Sequence, residues 1–254
     1  MSLHLGAWDV ALVVAVSAQA TVLAYLYDPR WKALVWMLPI PFTMASLAVG
    51  RPVDATNALG LPLLWVFTHG VRLLHQGARL PIVVAIALST GVYIAGGWVL
   101  ADIVPTSDAA FWVSACAMLL IGWVLQRIEP SREEPGYRSP LPLRYKLPAI
   151  IAVVTALLFI KRGLAGFTTL FPMVGVIAAY EARYSLHTMA RTVPGIMLTL
   201  VPLMMVCRLL QERIGLGPAL AVGWVVYLVL LARLTRSTWK PQAVSRFWSF
   251  LTKG

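Results

Sequence analysis

Charge is what this sequence has least of. Only 12% of its 254 residues are Asp, Glu, Lys or Arg, and 10 of them are acidic, where a soluble domain carries about a quarter. So few carboxylates exclude a carboxylate-bound metal cluster. Cysteine is almost missing. Cys116 and Cys207 both lie in apolar runs, which leaves neither a disulfide framework nor a CxxC metal site. HExxH, the P-loop, GxGxxG after a strand and GxSxG are all lacking, so no catalytic residue, metal or cofactor is expected, and the chain is read as a non-enzyme. No Lys or Arg precedes the first apolar run in MSLHLGAWDVALVV and no small-residue cleavage site follows it. That run is expected to persist as a first span.

What fills the sequence instead is apolar. With 59% hydrophobic residues and a mean hydropathy of +0.79, its solvent is lipid, and the expected fold is an all-α, polytopic transmembrane helix bundle. A helix crossing about 30 Å of hydrocarbon needs roughly 20 apolar residues. Nine segments qualify or nearly so: 8–27, 33–50, 57–75, 80–101, 109–127, 147–160, 164–181, 192–211 and 216–235. The sixth, bounded by Pro148 and Lys161, is short enough to be a half-crossing. The net charge of +11 would suggest nucleic acid in a soluble protein, but here the basic residues sit between apolar segments, where they set topology and meet anionic lipid. The partner expected is membrane lipid, with no nucleic acid. Nine spans with the N-terminus outside and the C-terminus cytoplasmic leave only Arg51, Lys161, Arg162, Arg208 and Arg213 on the outer side.

The linker IEPSREEPGYRSPLPLRYK, residues 128–146, is held extended by its four prolines and joins two halves. The tail interleaves basic residues with Trp239, Phe247, Trp248 and Phe250, as a segment on the anionic inner leaflet would. The halves resemble each other. WMLPIPFTMASLA around Pro39 matches TLFPMVGVIAAYE around Pro172, Arg72-Leu-Leu-His matches Arg208-Leu-Leu-Gln, and Pro81 and Pro218 open the last span of each half. The expected organisation is a four-helix repeat over 1–104, a central helix and cytoplasmic linker over 105–146, a second repeat over 147–236 and a basic aromatic tail over 237–254. With an odd number of spans before the second copy, the repeats would be inverted, an architecture recurrent in secondary carriers.

The stretch AGFTTLFPMVGVIAAYE, followed by an Arg, a Pro-containing span and a final apolar span, is similar to the GlpM-like small inner-membrane proteins. The likeness covers roughly 150–235. It implies a four-helix architecture, residence in a bacterial inner membrane and a role in the cell envelope, and it carries no catalytic residue over.

Ionisable groups near apolar segments are the candidate site residues, because charge in a membrane is costly and faces a cavity or an interface. Lys161 and Arg162 would hold an anion near a helix start or snorkel to headgroups. Arg72 and Arg208 would recruit an anionic cargo from each leaflet or anchor their helices at the interface. Glu181 would act as a coupling carboxylate or pair with Arg183 or a neighbouring loop. His69, His75 and His187 would titrate in a coupling path or, at the extreme, ligate haem. Helix breaks are expected at Pro39 and Pro41 and at Gly163, Gly166 and Pro172. The leading expectation is a transporter or lipid flippase for an anionic lipid or small-molecule cargo. The alternative is a scaffold for an envelope protein partner, packing through Gly91, Gly96 and Gly97.

Overall fold

A computed structural model describes residues 6–160 and 165–239. Lys161, Arg162 and Gly163, and the tail beyond Trp239, lie outside the described residues. Among those described every regular element is helical: α1 (Ala7–Tyr25), α2 (Pro29–Met37), α3 (Ile40–Val49), α4 (Ala55–Arg72) with a π-turn over Leu73–Gly77, α5 (Ile82–Ile103), α6 (Asp108–Ile128), α7 (Leu143–Ile160), a 3-10 turn (Ala165–Leu170), α8 (Met173–Glu181), α9 (Leu186–Ile214) and α10 (Leu216–Trp239). Six stretches are long and apolar enough to cross a membrane: α1, α2 with α3, α5, α6, α9 and Leu216–Arg236 of α10.

The stretch expected as one span over 33–50 is two helices. α2 starts at Pro29, where Asp28 caps it by accepting from the Arg30 amide at 2.7 Å. It stops at Met37 because Pro39 and Pro41 remove two amide donors and α3 restarts with Pro41 in its first turn. The carbonyls freed by the break are not left bare. Gln19 Nε2 donates to Val35 O at 2.8 Å and to Leu38 O at 3.1 Å, Thr43 Oγ1 to Pro39 O at 2.8 Å and Tyr227 Oη to Met37 O at 2.6 Å, as hydrocarbon demands. The same device recurs over 165–181, where Pro172 caps α8 after the 3-10 turn. There Tyr93 Oη donates to Phe167 O at 3.0 Å.

Two further boundaries differ from expectation. α7 begins inside the linker, at Leu143, and runs through Pro148; 18 residues of helix span about 27 Å, more than the dozen apolar residues suggested. α10 continues past 236 to Trp239, so the basic tail opens as helix.

Side-chain contacts fix the helix directions. Lys146 Nζ reaches Ala24 O at 3.0 Å, so α7 starts where α1 ends. Lys32 Nζ reaches Glu181 O at 2.6 Å, so α2 starts where α8 ends. Gln211 Oε1 accepts from the Val53 amide at 2.8 Å and Arg72 Nη1 donates to His187 Nδ1 at 2.9 Å, so α4 and α9 run oppositely side by side. α5 and α10 flank them. Ser89 approaches Gly70, while Leu203 and Cys207 approach Gly223. α5 and α10 bury residues in one register: Ala85 and Ala219, Ile86 and Leu220, Ser89 and Gly223, Tyr93 and Tyr227, Gly97 and Leu231. Pro81 then stands opposite Gly215, not Pro218. α9 is the central helix, with 61% of its apolar window buried against 28% for α6 and for α10.

Candidate functional site

At the centre of the bundle the two broken helices face one another. A gap of about 50 Å³ lies between them, lined by Pro39, Pro41, Phe42, Leu170, Phe171 and Pro172, with Leu64 and Ile196 from α4 and α9. Its wall is apolar except at Thr169, whose hydroxyl accepts from Asn57 Nδ2 at 2.9 Å. Of the expected helix breaks, Pro39, Pro41 and Pro172 are brought together here, and Gly166 belongs to the 3-10 turn before Pro172.

The second cavity, of about 190 Å³, opens at the end of the bundle where the linker lies. Arg30, Arg132, Arg191, His187, Thr188 and Gln126 are among its lining, and no carboxylate is. Three arginines give the vestibule a lining suited to an anion, since guanidinium forks seek negative oxygen.

The linker does not merely connect. It straps the start of α9 to the ends of α4 and α6. Glu134 accepts from the amides of His187 at 3.2 Å and Thr188 at 2.6 Å, completing the start of a helix whose own Ser185 makes no side-chain cap. His187 Nε2 donates to Pro130 O at 3.0 Å, its Nδ1 being taken as acceptor by Arg72. Arg191 Nε donates to Glu129 O at 3.1 Å, and the Glu129 carboxylate lies 3.1 Å from His69 Nε2. Gly136 is pressed so closely against Tyr27 that a Cβ there would overlap the ring.

Beneath the strap lies a buried charge cluster. Glu181 pairs with Lys146 at 3.0 Å, both side chains at most 5% exposed. Of the two expected partners, a neighbouring loop supplies the cation, and Arg183 lies 4.1 Å over the Tyr137 ring, bonds its hydroxyl and donates to Tyr180 O. The turn after α8 sends the two side chains apart. Lys32, which sequence reasoning read only as a topology signal, holds Tyr137 O at 2.7 Å and Glu181 O at 2.6 Å.

Arg72 and Arg208 stand at opposite ends of the bundle, and both are engaged. Arg72 bonds His187, and Arg208 clasps Asp108 at the start of α6 and donates to Val53 O at 3.2 Å. Among the described residues, the arginines that line the vestibule are Arg30, Arg132 and Arg191, which positive-inside counting had used up as orientation signals. His75 Nδ1 binds Leu80 O at 2.8 Å in the turn after α4. Among the described residues no three His, Cys, Asp or Glu side chains are grouped to hold a metal.

The chain matches no protein-family model, no curated protein and no solved structure. No family match accompanies the resemblance to GlpM-like proteins expected from the 165–181 motif.

Proposed function

We propose that the protein is a small carrier or lipid flippase of a bacterial inner membrane, moving an anionic, phosphate-bearing lipid or organic anion by alternating access. The reading takes the chain as nine passes, N-terminus outside, arranged as two inverted four-helix repeats about α6. What carries it is the pairing at the centre: two proline-broken helices running oppositely, each stitched at its break by a buried tyrosine from the last helix of the other half. Tyr93 of α5 serves Phe167 and Tyr227 of α10 serves Met37. The opposite directions of α1 and α7, of α4 and α9, and of α5 and α10 support the same inversion, as does the shared buried register of α5 and α10. Broken helices at a repeat interface are where such carriers place their site. The arginine-lined vestibule gives the cytoplasmic mouth its anion preference. The central gap, too small for cargo, corresponds to a closed state.

Reconstitution tests this. Vesicles holding the purified protein and fluorescent phosphatidylglycerol on the inner leaflet are expected to show protein-dependent transfer to the outer leaflet, cut at least tenfold in Arg30→Ala/Arg191→Ala. Transfer of neither anionic lipid nor entrapped organic phosphates above empty vesicles would contradict it.

One observation favours the alternative, a scaffold subunit for an envelope protein. Gly96 packs inward, where a Cβ would meet Leu63 at 2.8 Å, but Gly91 has open space around it and is exposed with Ala87 and Ala95 on the outer face of α5. Small residues one turn apart on a lipid-facing surface suit close helix association. Co-purification of a partner at fixed stoichiometry, lost in Gly91→Leu, would favour it.

A further inference from the structure

We infer that His69 and Glu129 form a proton-binding site that sets the anion affinity of the vestibule, making a proton the coupling ion. This rests on the carrier reading for its use, but not for its chemistry. His69 is held from both sides by acceptors. Its Nδ1 lies 3.0 Å from Trp65 O and its Nε2 lies 3.1 Å from Glu129 Oε1, with the ring stacked on Trp65 at 4.0 Å between centroids. A carbonyl oxygen cannot donate, so Nδ1 carries a hydrogen. The contact between Nε2 and Oε1 then needs a hydrogen of its own, and the ring nitrogen, ordinarily more basic than a carboxylate, carries it. The pair is then an imidazolium beside a carboxylate and is neutral overall. Loss of the proton to cytoplasmic water leaves a neutral imidazole whose Nε2 lone pair faces a carboxylate, and the pair's charge falls by one unit. Both side chains are nearly buried, 12% and 15% exposed, and Glu129 Oε2 is buried without a donor, so water compensates this change poorly.

The pair is wired to the vestibule through two backbone oxygens. Glu129 O receives Arg191 and Pro130 O receives His187, and both of those side chains line the cavity. The charged and titratable groups on the elements around it are Arg72 on α4, His187 and Arg191 on α9, Arg127 at the end of α6, where it stacks on Trp123 at 4.7 Å, and Arg132, Glu133 and Glu134 of the linker. His75 and Arg79 lie in the turn that follows α4, and α5 as far as its midpoint brings only the Tyr93 phenol. The nearest charges are thus mostly cationic, and a carboxylate uncovered by proton loss competes with cargo for them. The sign follows: a protonated pair favours the anion, so anion and proton travel together. A π-turn directly after Arg72 is a feature frequent at functional sites.

The test uses the full chain in nanodiscs with ¹⁵N-labelled histidine, the His69 signals being identified by their loss in His69→Gln. Both ring nitrogens of His69 are expected to bear hydrogen at low pH, with one proton released in a single step on raising the pH, and Glu129→Gln is expected to release that proton at a lower pH. Sulfate, whose charge is constant over the range, is the anion probe. Its affinity is expected to fall roughly tenfold through the same step, whereas Glu129→Gln binds it at high pH as the unaltered protein does at low pH. Release of that proton at the same pH in the unaltered protein and in Glu129→Gln overturns the proton site whatever sulfate does. The expected ring signals with equal pH dependence of sulfate binding in Glu129→Gln overturn the coupling. The expected ring signals with no sulfate bound at any pH overturn the anionic-cargo reading and leave the proton site standing.

Discussion

Two tyrosine hydroxyls close the backbone where the helices break. Tyr93 and Tyr227 are both fully buried, so Tyr93→Phe and Tyr227→Phe each strand an acceptor and are expected to cost about 1–3 kcal/mol. Thermal unfolding in nanodiscs would show this, and a midpoint unchanged in both variants would contradict it. The buried pair of Lys146 and Glu181 behaves differently. Glu181→Leu leaves two ammonium groups, Lys146 and Lys32, below the surface and is expected to cost about 3–5 kcal/mol, most of it recovered in Lys146→Met/Glu181→Leu, because an unpaired buried charge is worse than an apolar replacement. A double variant no more stable than the single one would refute that account.

At the scale of elements, the breaks are the parts expected to move. Pro172→Ala restores the amide whose lack stops the helix before α8, so it is expected to raise the unfolding midpoint and slow cargo transfer; faster transfer would argue that the break is only a packing defect. The linker is the other mobile candidate. Glu134→Ala removes a carboxylate from the start of α9 and is expected to speed hydrogen exchange of the Thr188 amide, at a stability cost of about 1 kcal/mol; unchanged exchange would mean the strap is dispensable.

These elements differ in how far the sequence announces them. A proline acts on its own backbone, so the breaks at Pro39 and Pro172 are legible locally, as are apolar runs as long as α5 and α6. α4 is less so, since Thr56, Asn57, Thr68, His69 and Arg72 dilute its apolar character while its neighbours cover it. The strap was invisible. Glu134 and His187 meet only because the linker folds back, and nothing local distinguishes that carboxylate from its neighbour Glu133. The Glu181 partner could be narrowed only to Arg183 or a neighbouring loop for the same reason: Arg183 is near in sequence, Lys146 at the end of the linker near in space. Arg30, Arg132 and Arg191 were read for their charge alone, and a shared cavity is a property of three elements at once.

For the whole molecule, the central claim is that two halves of opposite direction share one membrane. The loop after α4 and the end of α9 are related positions that this arrangement places on opposite faces. Gly77 has open space around it, but Gly215 has a φ of +83°, which a side chain would strain, so the neighbouring exposed Glu212 is the better site. With Cys116 and Cys207 replaced by alanine, Gly77→Cys and Glu212→Cys can be probed separately with a thiol reagent that does not cross the membrane. The account predicts labelling of Gly77→Cys only from the cytoplasmic face and of Glu212→Cys only from the outer face. Labelling of both from one face would contradict it, removing the inversion and with it alternating access between the two broken helices.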